Sequence, residues 1–251
     1  MQPIIDKKPI KDWTSEERIE VVKRIFNAVT PHYDKLNHIM SARQDVKWRR
    51  FTASRLTPGV KKVLDVATGT GDLAIDITSK WPETEVIGVD FVRKMIQIGR
   101  DKVERKGLAN RILYAASDAL SLPFQDNEFD VATIAFGLRN IPDRLGALKE
   151  MVRVVKPGGK VITLEMTFPR NMGFRWFFKW YLNNVMPLIG RLISGNSEAY
   201  RYLPASIQDF LHPDDLTKLY QLAGLTTIHA IPLTFGITYM HEGIVASNTP
   251  I

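Results

Sequence analysis

Residues 63–75 read VLDVATGTGDLAI, an apolar run that breaks into Gly69, Thr70 and Gly71. The pattern predicts a buried strand, a glycine-rich turn and the start of a helix. In such a turn backbone N–H groups approach a ligand closely, because glycine has no Cβ. A second apolar run, EVIGVD, follows and ends at Asp90, whose carboxylate can accept hydrogen bonds from a ribose. The two stretches together predict a nucleotide-binding α/β core.

The plain alternative is an ordinary βα turn whose glycines serve only tight geometry. If the loop binds a ligand, that ligand is either a dinucleotide or S-adenosylmethionine. A dinucleotide motif reads G-x-G-x-x-G, and its third glycine eases helix packing beside a pyrophosphate. Here that position holds Ala74, a tolerated variant, and Asp72 intervenes. Asp65 adds a second negative charge near the end of the strand. Because these charges repel phosphate and attract a sulfonium or an ammonium group, the loop favours S-adenosylmethionine.

The composition excludes several kinds of site. The chain has 251 residues, 45% of them hydrophobic, which is enough for a single α/β domain over residues 1–251. It has no cysteine, so disulfides, thiolate metal sites and cysteine nucleophiles are excluded. The five histidines are scattered without metal-ligand spacing, so we expect no metal.

The net charge of +7 would attract a polyanion, either nucleic acid or an anionic membrane surface. We find no zinc-finger, RNP or basic helix–turn–helix pattern, and therefore expect no nucleic-acid partner. The N-terminal stretch lacks the apolar region of an export signal, and nowhere do 18 uncharged apolar residues run together. We expect a cytoplasmic protein.

Strand and helix patterns alternate along the chain. Five strands (KVLDV, EVIGV, RILYA, FDVATIAF and KVITLE) are separated by stretches long enough for helices, the βαβ rhythm of a doubly wound, mostly parallel α/β sheet. A helical N-terminal segment precedes them. A helix near 213–222 is followed by two closely spaced strands, which predicts a terminal antiparallel hairpin. The predicted parts are a helical cap (1–55), a donor-binding core (56–165), a lid (166–212), and a C-terminal helix with its hairpin (213–251).

Five motifs go beyond this generic pattern: YDKLNHIMS (33–41) followed by Trp48, DVATGTGD (65–72), FGLRNIPD (136–143), RVVKPGGKVITLE (153–165) and NSEAYRYLPASI (196–207). Together they resemble the ubiquinone/menaquinone biosynthesis C-methyltransferases, from about Phe26 to the C-terminus. The resemblance implies a seven-stranded class I methyltransferase fold that transfers a methyl group from S-adenosylmethionine to a ring carbon of a polyprenylated quinol. Asp45, where the family usually has histidine, and Ala135, where it often has serine, depart from the pattern.

The resemblance also assigns roles to residues. For donor binding it implies the following positions: Asp65, Gly69, Thr70 and Gly71 at the methionine end, Asp90 at the ribose, Asp118 and Ala119 at the adenine, and the backbone of Ala135. From sequence alone the alternative for Asp118 is an acid in a turn, since Asp is common in turns. For catalysis it implies Arg139, Asn140 and Tyr33.

Methylation at a ring carbon requires loss of a proton from the neighbouring hydroxyl. The enzyme must therefore position the acceptor ring, exclude water from it and promote its deprotonation. Arginine is a poor base. We therefore expect Arg139 to stabilise the phenolate or to orient a water molecule, Asn140 to bond a quinol oxygen, and Tyr33 to orient the ring or relay the proton. The plainer alternatives are a surface salt bridge for Arg139 and a core position for Tyr33.

An aromatic segment at 172–193 places Phe174, Phe177, Phe178, Tyr181 and Val185 on one helical face, with Trp176, Trp180 and several cations beside it. Aromatic residues interleaved with cations are typical of an interfacial helix. We expect either a lid over the quinol pocket that touches the inner membrane face, or a core helix.

Functions of other classes stay open. A dehydrogenase is disfavoured because Tyr-x-x-x-Lys is absent after the fourth strand, and an RNA methyltransferase because the Asn/Asp-Pro-Pro-aromatic motif is absent. A binding protein that keeps the fold but has no catalytic activity is also possible, and only the Arg139–Asn140 pair argues against it. We favour demethylmenaquinol over a ubiquinone precursor as acceptor. The resemblance implies homodimers in some members, but no stripe here identifies an interface.

Overall fold

The computed structural model describes residues 8–194 and 197–247. Residues 1–7, 195–196 and 248–251, which belong to the predicted cap, lid and C-terminal part, lie outside the described residues. The described strands are β1 (Lys62–Val66), β2 (Glu85–Asp90), β3 (Ile112–Ala116), β4 (Phe129–Ala135), β5 (Val155–Met166), β6 (Leu225–Leu233) and β7 (Thr238–Val245). They form one sheet in the order β3-β2-β1-β4-β5-β7-β6.

The sheet is parallel from β3 to β5, and β7 runs antiparallel to both β5 and β6. This arrangement confirms the predicted class, a mostly parallel sheet that ends in an antiparallel hairpin. The central strands are apolar on both faces, as in Val63, Leu64 and Val66 of β1, which are fully buried. Val66 pairs with Val89 of β2 and Ile134 of β4, so these three strands end at the same edge.

The described helices are α1 (Ser15–Val29), α2 (Tyr33–Met40), α3 (Gln44–Ala53), α4 (Asp72–Lys80), α5 (Arg93–Arg105), α6 (Arg144–Val154), α7 (Met172–Trp180), α8 (Met186–Ser194), α9 (Ser197–Asp209) and α10 (Pro213–Leu222). One face of the sheet packs against α3, α4 and α5, and the other against α6 and α10. Helices on both faces make the sheet doubly wound.

A third layer covers the carboxyl ends of the strands. Helices α1 and α2 from the N-terminal segment pack against α8 and α9 from residues 166–212 around one apolar cluster, which includes Val22, Ile25, Leu36 and Ile207. Arg18 and Asp209 join the two segments by an ion pair of 2.6 Å. The predicted cap and the predicted lid therefore share a core. By contrast, α3, which also lies within residues 1–55, packs against α4 beside the sheet.

The aromatic segment is helical, but it is not one regular helix. Residues Tyr181–Val185 form a π-helical turn between α7 and α8, and such a turn rotates the following residues relative to the preceding face. Phe178 is buried, whereas Trp176 is 73% exposed. One side of the segment is thus buried in the core, and the other side is exposed. None of the described helices has the length and apolar character needed to cross a membrane.

Candidate active site

The loop after β1 lies at the point where the strand order reverses, between β1 and β4. Ala67, Gly69 and Gly71 all have left-handed backbones, with φ values of 50°, 57° and 82°. The Gly69 N–H donates to Asp90 Oδ2 at 2.9 Å, which ties the loop to β2. A Cβ at Gly71 would overlap the hydroxyl of Tyr114. Gly71 therefore allows the loop to pack closely on β3.

Asp90 is almost completely buried at the end of β2. Its second oxygen, Oδ1, accepts a hydrogen bond of 2.8 Å from the Val92 N–H. Burial raises the pKa of Asp90, while the N–H groups of Val92 and Gly69 oppose that rise. Each carboxylate oxygen can accept a further hydrogen bond.

A cavity of about 880 Å³, which we call the donor cavity, opens beside Asp90. The predicted residues that line it are Gly69, Asp90, Asp118, Ala119 and Ala135. Apolar side chains of α1 form part of the wall, among them Val22 and Phe26. The Asp118 carboxylate also accepts a hydrogen bond of 2.9 Å from the Leu120 N–H, so it is a turn residue as well.

A smaller cavity of about 410 Å³, the loop cavity, lies on the other side of Gly69 and includes Asp65, Thr70, Asp72 and Arg49. The Asp65 carboxylate is 1% exposed and accepts hydrogen bonds from the hydroxyls of Thr68 (2.6 Å) and Thr133 (2.7 Å). Burial raises the pKa of Asp65 to about 6. The group is therefore mostly ionised at neutral pH, which suits a cationic ligand.

Residues of the cap close the loop cavity. The Thr70 hydroxyl donates to Asp34 of α2 at 2.6 Å. The Lys102 ammonium contacts both Asp34 (2.6 Å) and Asp72 (2.7 Å). Arg49 of α3 pairs with Asp72 at 3.2 Å. These contacts hold the cap against the glycine-rich loop.

The third space, the aromatic cavity, measures about 1110 Å³ and extends from Arg139 to α7. Its walls are formed largely by aromatic and aliphatic side chains: Tyr33, Met40, Trp48, Phe136, Met166, Phe174, Phe177, Phe178, Tyr181, Met186, Leu203 and Ile237. Asp45 brings a carboxylate to the wall. Burial alone would raise the pKa of Asp45, but Ser41, Arg49 and His38 hold it below its ordinary value.

Arg139 is 6% exposed, so it is not a surface residue. Its Nη1 donates to Glu165 Oε1 and to the Phe136 carbonyl, both at 2.6 Å, and its backbone N–H donates to Glu165 Oε2 at 3.1 Å. Burial alone would lower the pKa of Arg139, but Glu165 more than offsets this and raises it above the ordinary value. The guanidinium therefore stays charged, and its buried Nε has no hydrogen-bond partner.

Asn140 lines the donor cavity, and Tyr33 lines both the donor cavity and the aromatic cavity. The Asn140 Oδ1 accepts a hydrogen bond of 2.9 Å from the buried Tyr202 hydroxyl. Burial raises the pKa of Tyr33, with the charge of Arg139 opposing the rise, so the phenol is neutral at pH 7. Tyr33 and Phe136 line the donor, loop and aromatic cavities alike.

Sequence reasoning did not single out Glu165, Phe136 or Arg49 as site residues. Glu165 closes the apolar strand KVITLE in the same way as Asp90 closes EVIGVD, so the same signal could have identified it. Arg49 carries no comparable signal. In the described residues, no group of three or more His, Asp or Glu side chains is placed to hold a metal ion.

Comparisons with known proteins agree with this geometry. Residues 12–245 match the ubiE/COQ5 methyltransferase family. The chain belongs to this family. Demethylmenaquinone methyltransferases of Thermus thermophilus and of a Geobacillus species are 43% and 41% identical to it, over 220 and 230 residues. The alignments cover 87% and 91% of this chain, and 99% and 98% of those proteins.

A solved structure from Thermotoga maritima, described as an S-adenosylmethionine-dependent methyltransferase and possible histamine N-methyltransferase, superimposes with a TM-score of 0.62 at 18% identity. The match covers 88% of this chain and 98% of that one and shows the fold alone. Family membership decides between the two ligands that the loop left open. The chain is an S-adenosylmethionine-dependent C-methyltransferase.

The cavities fit this donor. A buried aspartate at the donor cavity offers acceptors for ribose hydroxyls. In the loop cavity the Asp65 carboxylate suits the ammonium end of the methionine moiety, whereas Asp72 already pairs with Lys102 and Arg49. The donor-binding and catalytic roles of the individual residues remain predictions.

Proposed function

We propose that the enzyme methylates a ring carbon of a polyprenylated quinol, with demethylmenaquinol as the acceptor. One observation carries this proposal: the aromatic cavity adjoins both donor-side cavities at Tyr33 and Phe136, with the buried charge of Arg139 in its wall. Flat apolar walls suit a quinol ring and its isoprenoid tail. The names of the relatives from Thermus and Geobacillus support a naphthoquinol ring.

The acceptor carbon becomes nucleophilic when the neighbouring hydroxyl loses its proton, while the bound donor supplies an electrophilic methyl group. Arg139 keeps its positive charge, so it acts by stabilising the developing phenolate and not as the base. Glu165 holds Arg139 in place through two contacts, one with the guanidinium Nη1 and one with the backbone N–H. Preorganised charge in a buried site stabilises a transition state without the cost of reorganisation.

Asn140 and Tyr33 act as hydrogen-bond donors in this proposal. The Oδ1 of Asn140 accepts from Tyr202 and one amide N–H donates to the Phe136 carbonyl, which leaves the other N–H for a quinol oxygen. The neutral phenol of Tyr33 orients the ring from the cap side. On the donor side, Asp90 binds the ribose, Asp118 and Ala119 bind the adenine, Ala135 contributes backbone, and Asp65, Gly69 and Thr70 surround the methionine end. We assign Gly71 to loop packing.

Turnover tests this assignment. Purified enzyme receives labelled S-adenosylmethionine with a chemically reduced, short-tailed demethylmenaquinol or with a reduced benzoquinol precursor. We expect label in the naphthoquinol, and loss of that label in Arg139→Ala. Arg153→Ala is the matched control, because Arg153 pairs with Glu150 and Asp126 away from the three cavities. Donor binding without label in either acceptor would contradict the proposal.

We also propose that the enzyme meets its acceptor at an anionic bilayer surface. Beside the aromatic cavity lies an exposed patch, which we call the aromatic ridge: Met172, Trp176, Phe177, Trp180 and Phe235. The Phe174 ring stacks on Phe177 at 6.3 Å and meets Phe235 at 5.4 Å, so the ridge is continuous with the cavity wall. Lys179 and Arg175 lie among these aromatics, and the chain carries a net charge of +7. Exposed aromatics flanked by cations favour the headgroup region of anionic lipid.

Vesicle sedimentation tests the membrane surface. The double variant Trp176→Ser/Trp180→Ser should lose binding to phosphatidylglycerol-containing vesicles and lose turnover on a long-tailed acceptor held in them. It should keep turnover on a soluble short-tailed acceptor. Leu113→Ser, at an exposed apolar side chain on β3, is the control and should change neither. Unchanged vesicle binding in the double variant would refute this part of the proposal.

A further inference from the structure

Phe136 has a backbone conformation that aromatic residues rarely adopt. It follows directly after β4 with φ at 57°, in the left-handed region. Its N–H donates to the Leu164 carbonyl at 2.7 Å. Its own carbonyl accepts from Arg139 Nη1 at 2.6 Å and from Asn140 Nδ2 at 3.4 Å. The proposed catalytic pair therefore holds this backbone in place, and strained conformations held in this way cluster at functional sites.

Phe136 lies where the donor, loop and aromatic cavities meet. S-adenosylmethionine bound across the donor and loop cavities would place its sulfur near their junction, with its methyl group toward the aromatic cavity. Only two of the residues lining these cavities are common to all three, Tyr33 from the cap and Phe136 from the sheet. The Phe136 ring is buttressed by Trp48, with ring centroids 6.1 Å apart. The reaction centre thus lies against an aromatic wall.

Charge distinguishes the donor from its product at this position. The sulfur of S-adenosylmethionine is a sulfonium cation, whereas that of S-adenosylhomocysteine is a neutral thioether. The face of an aromatic ring attracts a cation electrostatically, whereas a neutral thioether makes a weaker sulfur–aromatic contact with it. The carboxylates of Asp65 and Asp72 line the loop cavity, on the amino-acid side of this junction.

We propose that the Phe136 ring recognises the sulfonium charge and so makes the site discriminate the methyl donor from the demethylated product. The left-handed backbone serves to present the ring at the junction of the cavities. Loss of the positive charge on transfer then weakens the hold on the spent donor and favours its exchange. The inference rests on the donor and not on the quinol assignment, so each can fail without the other.

Calorimetric binding of S-adenosylmethionine and S-adenosylhomocysteine, without acceptor, tests the proposal. Relative to wild type, Phe136→Leu should weaken binding of S-adenosylmethionine roughly 2- to 30-fold and weaken binding of S-adenosylhomocysteine by a smaller factor. Phe136→Tyr keeps a ring and should restore the wild-type ratio of the two affinities. Leucine and phenylalanine have similar difficulty in the left-handed region, so the comparison does not add backbone strain.

Phe91→Leu is the matched control, because Phe91 lines the donor cavity but not the loop or aromatic cavity. It should weaken both ligands equally. An equal loss of both ligands in Phe136→Leu would overturn the proposal and leave Phe136 as a packing residue. Should Phe136→Leu fail to fold, site-specific replacement of Phe136 by pentafluorophenylalanine reverses the ring's charge distribution at nearly constant shape. An unchanged ratio of affinities in that variant would also overturn the proposal.

Discussion

Replacing Glu165 by glutamine isolates the contribution of one buried charge to the candidate active site. The Glu165 and Arg139 side chains are only 2% and 6% exposed, so water cannot replace the lost partner. Leaving one member of a buried pair uncompensated costs about 3–5 kcal/mol of folding free energy. Oε2 accepts from the Arg139 N–H, while Oε1 accepts from Arg139 Nη1 and the Met166 N–H. A glutamine –NH2 at either position would face at least one N–H donor.

Two measurements separate stability from catalysis. Urea unfolding should show the loss of about 3–5 kcal/mol. Turnover on reduced demethylmenaquinol is measured at saturating donor, because donor binding stabilises the folded state. It should fall about 100-fold per folded molecule, since a displacement of about 1 Å in the site can lower the rate by that factor. Glu165→Asp keeps the charge but shortens the side chain. It should recover more of the stability than of the turnover.

Glu242→Gln provides the control on the neighbouring strand. Glu242 is also buried, but its partner Arg55 is 37% exposed and can be rehydrated. This variant should lose less stability than Glu165→Gln and keep turnover within about twofold of wild type. Wild-type turnover per folded Glu165→Gln molecule would refute the assignment of Glu165 as the residue that positions Arg139.

Four further expectations concern pH and packing. The pKa of Asp65 is about 6 in the folded protein and near 4 in the unfolded chain. The free energy of unfolding should therefore fall by about 3 kcal/mol as the pH rises from 4 to 6 and the group ionises. Asp65→Asn should remove this loss, as measured by urea unfolding at several pH values. It should also weaken donor binding at pH 7, and an affinity equal to that of wild type would contradict the assignment of Asp65 to the donor site. Burial lowers the pKa of His241 to about 4, so stability falls as the pH drops from 6.5 to 4, and His241→Asn should flatten that fall. Gly71→Ala should lower the melting temperature, because a Cβ there meets the Tyr114 hydroxyl, and Tyr114→Phe should restore part of the loss. Tyr114→Phe alone should not destabilise, since its buried hydroxyl has no hydrogen-bond partner, and thermal denaturation of the three variants measures this.

Local patterns predicted the parts of the fold that local physics determines. The helix over 213–222 was recognised because Pro213 fixes its first turn, Asp214 and Asp215 complement its dipole, and Gly224 follows its end. The strand KVLDV and the turn after it were recognised in the same way, from apolar residues and glycines within a dozen positions. The resemblance then implied a seven-stranded class I fold, but the order of the strands depends on pairing between distant segments and was not predicted.

The environment of Arg139 could not be predicted from sequence. A surface salt bridge was the plainer alternative, and the structure shows a buried pair with a glutamate 26 residues away. Likewise, the π-helical turn at Tyr181–Val185 divides a segment whose periodicity predicted one helical face. Both features depend on contacts between segments that are distant in the sequence. Strand β4 brings Arg139 beside β5. The buried side chains of Phe178 and Leu182 pack the π-helical turn against the cap.

The place of the proposed reaction centre follows from how two loops pack at the reversal of the strand order. The loops after the adjacent strands β1 and β4 begin with left-handed non-glycine residues, Ala67 and Phe136. A Cβ on Gly137 would stand 2.6 Å from that of Ala67, so the loops approach closely only because residue 137 is glycine. That approach brings Gly69 of the glycine-rich loop and Asn140 to the wall of the same donor cavity. The same sequence, FGLRN, therefore supplies the ring, the close packing and the charge, and moving any one of them would displace the other two.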